Sequence, residues 1–176
     1  MKHIETAISR ETIYKGKVLT LHRDEVLLQN GAQAYREVVE HSGGVAILAM
    51  TGGNVLLVRQ FRYPAGREML ELPAGKLNPG EDPKVCAARE LEEETGCKPG
   101  KLRRLGSFYA SPGYTSEILH LYLAEELTRT SQKLDADELL SVVAMPFQDA
   151  LAACADGRIS DAKTALALLI FKAAAL

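Results

Sequence analysis

The stretch between Gly75 and Cys97 constrains this chain more than any other. Gly75 is followed after five residues by Glu81, and after seven more by Arg89-Glu90-Leu91-Glu92-Glu93-Glu94-Thr95-Gly96-Cys97. Read as a helix, it carries Glu90, Glu93 and Glu94 at i, i+3 and i+4, which puts three carboxylates on one face. Asp82 is placed to cap that helix, Pro83 to open its first turn and Gly96 to close it. Val85, Ala88 and Leu91 recur at i, i+3 and i+6 and are the set expected to seat it on a sheet. Three like charges on one face raise one another's pKa unless a cation joins them. Arg89 is expected to pair with Glu81 and hold the loop against the helix, leaving the three carboxylates without a local cation. Hard oxygen donors of this kind suit Mg²⁺, with Mn²⁺ as the alternative. Gly75, after Pro73-Ala74, is expected to permit a tight turn that aims the Ala74 carbonyl at the same metal. A solvated acidic face is the bland reading of a glutamate-rich run. What argues against it is the register of Gly75, Glu81, Arg89 and Gly96 with the three glutamates.

The rest of the chain reads as strands before this helix and a mixture after it. Residues 24–28 and 35–40 are strand-like around Asn30-Gly31, a hairpin signal, and residues 45–50 and 55–62 flank a second turn at Thr51-Gly52-Gly53-Asn54. Residues 102–109, 118–124 and 139–145 also read as strands. Pro146 starts a helix that Asp156-Gly157 ends, and Ser160 or Asp161 caps the last one. The pattern predicts an α/β (α+β) fold with a mixed sheet between helical layers. Residues 1–41 form a small N-terminal β region of their own, and residues 42–176 the main domain.

A length of 176 residues, 25% charged side chains and a net charge of −2 predict a soluble globular protein with no affinity for nucleic acid or membrane surfaces. The apolar stretch 162–176 carries Lys163 and Lys172 and is expected to be a buried helix rather than a membrane span. Cys86, Cys97 and Cys154 are odd in number and lack metal-like spacing, so reduced thiols are expected, with Cys97 in the core. The start Met1-Lys2-His3-Ile4-Glu5 carries no apolar run, and a cytoplasmic location is expected.

The spacing from Gly75 to Cys97, G-x5-E-x7-R-E-U-x-E-E-x-G-U with U an apolar residue, resembles the Nudix box of hydrolases that cut nucleoside diphosphates linked to another group. Pro112 lies sixteen residues after Gly96, within Ser111-Pro112-Gly113-Tyr114-Thr115-Ser116-Glu117. With Val58-Arg59-Gln60-Phe61-Arg62, Glu71-Leu72-Pro73-Ala74-Gly75, Leu134-Asp135-Ala136-Asp137-Glu138 and Asp161-Ala162-Lys163-Thr164, it resembles the ADP-ribose pyrophosphatase group of that family. The resemblance implies a Nudix-type α/β/α sandwich and Mg²⁺-dependent hydrolysis of ADP-ribose to AMP and ribose 5-phosphate. It also implies a homodimer, in which the N-terminal region serves dimerisation and frames the substrate. The alternatives are another nucleoside diphosphate sugar as substrate, or a ligand-binding regulatory module with little turnover. Intact glutamates argue against the latter.

By position, the resemblance implies that Ala74, Glu90, Glu93 and Glu94 hold the metal. It makes Arg62 a contact to the substrate phosphates. Arg36 and Tyr14 would frame the adenine, Tyr14 from the partner subunit, and Pro112 and Glu117 would shape and contact the substrate. Tyr114 stands where many relatives carry Gly or Phe. The attacking water needs a base. Glu138 is the first candidate because its side chain is longer, with Asp135, Asp137 and Glu93 open. Ordinary readings stand beside these. Arg36 could make a surface salt bridge, Tyr14 could be a half-buried strand residue, and residues 133–138 could be a plain polar connection.

Overall fold

The computed structural model describes residues 3–136 and 138–174. The backbone divides into two compact units, one running through Gly43 and including Phe108–Ile118, the other comprising Gly44–Ser107 and the residues from Leu119 onward.

The smaller unit is built on an antiparallel sheet of β1 (Glu5–Lys15), β2 (Leu19–Leu28) and β3 (Gln33–His41), in that order. Asn30-Gly31 turns β2 into β3, as expected: Gly31 takes a φ of 82°, and the Asn30 side chain accepts from the Ala32 N–H at 3.0 Å. β1 was not among the strands expected. All eleven of its residues are exposed, so within this chain no buried face gives it the alternation that would reveal it. It is held by the ladder and by Arg10, which donates through Nε and Nη2 to the buried Asp24 at 3.0 and 2.7 Å. The proline-containing segment joins β3: Val39 N–H donates to the Tyr114 carbonyl at 2.7 Å, and Ser116 N–H to the Val39 carbonyl at 3.0 Å.

The larger unit runs β4 (Gly44–Thr51), β5 (Asn54–Arg62), β6 (Arg67–Glu71), β7 (Ala74–Lys76), α1 (Pro83–Thr95), β8 (Cys97–Lys98), β9 (Lys101–Tyr109), β10 (Ile118–Glu125), β11 (Thr128–Arg129), β12 (Leu140–Pro146), α2 (Phe147–Ala155) and α3 (Ala162–Ala174). Its main sheet has the order β12-β5-β4-β10-β9, with β6 on β5 and β7 on β4. β4 and β10 pair in parallel, whereas β4–β5, β5–β12, β5–β6 and β4–β7 are antiparallel. This is the expected mixed sheet. β4 is apolar and buried from Gly44 to Ala49 because both of its faces are covered. Val45, Ile47 and Ala49 pack with Leu56, Tyr122 and α1. Ala46 and Leu48 point the other way along the pleat and are equally buried, on the side that α2 and α3 cover.

Two expectations about helix faces are corrected. α1 is seated by Cys86, Ala87 and Leu91, while Val85 is 61% exposed and Ala88 only half-buried. An i+3 step falls about 60° short of a full turn, so the Val85–Ala88–Leu91 row winds off the contact face. Glu94 lies on the buried edge with Leu91. Removing the Leu91 side chain there would cost about 2–5 kcal/mol. α3 is apolar apart from Lys163, Thr164 and Lys172, yet buries one stripe, Thr164, Ala167 and Leu168, and leaves Leu169 exposed. Phe147 and Phe171 join α2 to α3 edge to face, with centroids 5.2 Å apart. Residues 175 and 176 lie outside the described residues.

Candidate active site

The entry to α1 is built by local hydrogen bonds that the sequence encodes. Asp82 Oδ1 accepts from Lys84 N–H at 2.8 Å and Val85 N–H at 3.3 Å, satisfying two amides of the first turn. Glu81 accepts from the Asn78 N–H at 2.9 Å, which closes the loop. Arg89 then grips Glu81 in a two-pronged pair, Nε to Oε1 and Nη2 to Oε2, both at 2.9 Å. That pair holds the Glu81 carboxyl down at about 2, chiefly through the arginine hydrogen bonds. The expected clasp therefore forms, but Arg89 does more than expected. Its Nη1 donates to Glu90 at 2.7 Å and to Glu93 at 2.9 Å. The acidic face does have a local cation, because one guanidinium carries enough donors to serve three carboxylates.

Gly75 also has a different reason for being glycine. It lies within β7 and is absent from the left-handed φ region. A Cβ there would fall 1.9 Å from the Glu90 carboxyl carbon and 2.1 and 2.3 Å from its oxygens. The missing side chain leaves room for a carboxylate against the strand, and no tight turn is involved. The neighbouring Ala74 N–H donates to Glu94 Oε2 at 2.9 Å. Burial first, and then repulsion among the acids, raises Glu90 above the ordinary carboxylate value and Glu94 to about 8; Glu138 adds to both shifts. Cys86, on the buried face of this helix, is pushed up to about 12 by its desolvation and is an inert core thiol.

The loop that carries Glu138 is strapped to the end of α1. Thr130 N–H donates to the Gly96 carbonyl at 2.7 Å, Gln132 Nε2 to the Glu94 carbonyl at 2.6 Å, and Lys133 N–H to the Glu93 carbonyl at 2.9 Å. These bonds satisfy carbonyls that a helix end leaves open. Gly96 must be small as well as left-handed, with φ 63°, since a Cβ would lie 3.0 Å from the Gln132 nitrogen. The loop then turns on itself: Asp135 N–H donates to Glu138 Oε2 at 3.1 Å, and Glu138 N–H to the Asp135 carbonyl at 3.0 Å. Asp135 is exposed, and Asp137 lies outside the described residues.

Arg62, at the end of β5, is half-buried and paired with the buried Glu71, at 2.7 Å through Nε and 2.9 Å through Nη2. Glu94 is among the charges it feels. The larger unit thus brings together Ala74, Glu90, Glu93, Glu94, Arg62 and Glu138. Tyr14, Arg36, Pro112 and Glu117 belong to the smaller unit. Tyr14 is 59% exposed and folds over Gly16, where a Cβ would meet its ring at 2.7 Å. Arg36 makes an exposed pair with Glu5, with Nε at 2.9 Å. Pro112 lies in the exposed turn before Tyr114, and Glu117 is 3.7 Å from His41 Nδ1. Sequence reasoning gave no role to Glu71, Lys163 or Gln132. Glu71 and Lys163 stand inside segments whose resemblance had been noted, whereas Gln132 carries no local signal.

Among the described residues no three acids, histidines or cysteines form a ready-made metal cage. Arg89 draws Glu90 and Glu93, and the Ala74 amide draws Glu94. The donor set still suits a hard divalent cation: oxygen only, crowded and partly desolvated, with two carboxyls held above their ordinary values chiefly by burial.

A short glycine-bearing strand beneath an acid-faced helix, on a mixed sheet between helical layers, is the architecture of a Nudix domain. This chain belongs to the Nudix family: residues 40–167 match the NUDIX domain, and residues 5–39 match the nucleoside diphosphate sugar hydrolase N-terminal domain. It is 46% identical over 167 residues to the ADP-ribose pyrophosphatase of Bacillus subtilis (strain 168), covering 93% of this chain and 90% of that one. It is 42% identical over 167 residues, with the same coverage, to the methanol dehydrogenase activator of Bacillus methanolicus. A crystal structure of an ADP compounds hydrolase shares the fold with a TM-score of 0.86 at 24% identity, over 96% of this chain and 92% of that one. Nudix hydrolases generally use divalent metal ions.

Proposed function

We propose that this protein hydrolyses ADP-ribose to AMP and ribose 5-phosphate, with Mg²⁺ as cofactor and Mn²⁺ as a substitute. The observation that carries this reading is the grouping of Glu90, Glu93 and Glu94 on one face of α1, packed over the strand where the missing Gly75 side chain admits the Glu90 carboxylate. The choice of ADP-ribose is supported by the 46% identity to an enzyme that bears that activity in its name.

In this reading Glu90, Glu93, Glu94 and the Ala74 carbonyl hold the metal. When bound, it supplies charge neutralisation for the diphosphate and activation of a water. Arg62 donates to the phosphate oxygens and holds the diphosphate in line. Glu138 takes the proton of the attacking water. The water oxygen bonds to one phosphorus as the bridging P–O bond breaks, and the bridging oxygen leaves on the other phosphate. Asp135 is the next candidate for that base, and Asp137 lies outside the described residues.

The domain assignment follows the same reading: residues 1–41 serve dimerisation and substrate framing, and residues 42–176 catalysis. Tyr14 and Arg36 frame the adenine, Tyr14 from the partner subunit, while Pro112 and Glu117 contact the rest of the substrate. A homodimer is supported by β1, whose eleven exposed residues include Ile8, Ile13 and Tyr14 on an otherwise uncovered strand. The expected compartment is the cytoplasm. Among the described residues no helix is long and apolar enough to cross a membrane.

A second reading, a regulatory module acting on another enzyme, is favoured by the 42% identity to a methanol dehydrogenase activator. One assay separates the two. The protein is offered ADP-ribose, other nucleoside diphosphate sugars and NAD⁺, and products are resolved by chromatography with Mg²⁺ and after chelation with EDTA. Metal-dependent release of AMP and ribose 5-phosphate, with the highest kcat/KM for ADP-ribose, is the expected result. A higher kcat/KM for another sugar nucleotide reassigns the substrate, and no turnover of any compound overturns the enzyme reading.

A further inference from the structure

A buried network of charges lies behind Arg62. Glu71, at the end of β6, has a side chain 2% exposed and accepts from Arg62 Nε and Nη2 on one side and from Lys163 Nζ on the other. Lys163 also donates to Asp161 Oδ1 at 2.9 Å. Asp161 Oδ2 in turn accepts from the Thr164 N–H at 3.0 Å and from the Thr164 hydroxyl. The Thr164 oxygen accepts the Leu72 N–H at 2.9 Å. The chain of contacts therefore ties the ends of β5 and β6, and the backbone just before Pro73-Ala74, to the first turn of α3.

Burial pushes Glu71 up, but Arg62 and Lys163 outweigh it and hold the group below the ordinary carboxylate value. Charges this deep are poor stabilisers, since well-packed apolar side chains serve a fold as well or better. The network does something an apolar cluster could not do, which is to hold a guanidinium in one orientation. Nε and Nη2 of Arg62 are committed to Glu71, while Nη1 makes no hydrogen bond among the described residues and the side chain stays 40% exposed. A free arginine must order several torsions to meet a ligand, whereas Arg62 is held by two hydrogen bonds to Glu71 within the protein itself.

We propose that Lys163 and Glu71 are positioning residues, which lock Arg62 so that its Nη1 edge is presented to the substrate diphosphate. The proposal rests on the reading of Arg62 as a phosphate contact. It assigns a role to the Asp161-Ala162-Lys163-Thr164 segment, which the mechanism leaves unused.

The test is a double-mutant cycle on kcat/KM for ADP-ribose at saturating Mg²⁺, with thermal unfolding followed in parallel. Lys163→Met is expected to lower kcat/KM about tenfold in the wild-type background and less than about twofold in an Arg62→Ala background, because it acts through Arg62. Lys163→Arg, which keeps the charge, is expected to restore most of the loss. Glu71→Gln keeps the volume, carries the same expectation, and decides the question if Lys163→Met does not fold. An equal loss in both backgrounds, or no loss in the wild-type background, overturns the positioning role. An Arg62→Ala protein with unchanged kcat/KM instead overturns the phosphate reading of Arg62, and the positioning role falls with it.

Discussion

Gly75→Ala adds one methyl group, and the structure says where it lands. The new carbon would sit 1.9 Å from the Glu90 carboxyl carbon, against an ordinary van der Waals contact of 3.4–4 Å. The carboxylate must therefore retreat by about 1.5 Å or more, the difference between those two distances. The backbone is spared, because what stands in the way is the end of a side chain and Gly75 does not depend on a left-handed φ. The fold should survive with a modest loss of stability. Activity should not: a misplacement of about 1 Å in a catalytic constellation costs on the order of 100-fold. Displacing a metal-organising ligand costs about 10–100-fold in metal affinity or activity. The expected result is a Tm within a few degrees of wild type, kcat/KM for ADP-ribose down about 100-fold, and a higher Mg²⁺ concentration for half-maximal rate. Steady-state kinetics across a Mg²⁺ titration, with thermal unfolding on the same samples, measures all three. Wild-type kcat/KM at low Mg²⁺ would refute the reasoning, since it would mean that Glu90 need not occupy the space Gly75 leaves.

Glu138→Gln is expected to lower kcat by about 100-fold or more with little change in KM, whereas Arg36→Ala and Tyr14→Ala raise KM by the equivalent of about 1–3 kcal/mol and spare kcat. A normal kcat in Glu138→Gln moves the base to Asp135, Asp137 or Glu93. Light scattering is expected to give a dimer mass for active protein at micromolar concentration, and a fully active monomer would remove the shared-site reading of Tyr14. Glu81 has its carboxyl held at about 2 against an ordinary 4.5, so its stabilising contribution is complete above about 4.5 and is lost as pH falls toward 2. Wild type should therefore exceed Glu81→Gln by about 1–3 kcal/mol at pH 6, with the gap narrowing below about pH 4.5 and closing only as pH approaches about 2. Denaturant titrations showing a pH-independent gap would contradict this.

The parts of this protein legible in its sequence are those encoded over one helical turn or one hairpin. The Asp82 cap, the Gly96 stop and the Asn30-Gly31 turn need neighbours within a few residues, and each was read correctly. The grouping of Glu90, Glu93 and Glu94 is likewise a matter of helical spacing. What was misread depends on the third dimension. Val85 and Ala88 fit a helical face with Leu91 as well as Cys86 and Ala87 do, and only packing decides which set is buried. β1 has no apolar alternation against this chain, so periodicity could not find it. Arg89 was assigned one partner because sequence spacing does not reveal how far a guanidinium can spread its donors. Gly75 was given the usual reason for a glycine, backbone freedom, when the cause is a side chain fifteen positions away.

These long-range couplings share a physical logic. α1 must present like charges in its last two turns and still terminate inside the protein with its last carbonyls satisfied. The 130–133 segment does the second task through three hydrogen bonds to the carbonyls of Glu93, Glu94 and Gly96. The same bonds anchor the loop that carries Asp135 and Glu138 to the end of the helix. Satisfying the helix end and placing Glu138 are therefore one structural event. A helix capped only by water would leave that loop unanchored, and its carboxylate would have no fixed distance from Glu90 or Glu94. The same reasoning applies on the other side of the site, where the Leu72 amide and the Glu71 carboxylate are both satisfied from the first turn of α3. The backbone on each side of the acidic face is thus held by groups that a buried polar chain has to satisfy in any case. The positions of Glu138 and Arg62 follow from that requirement.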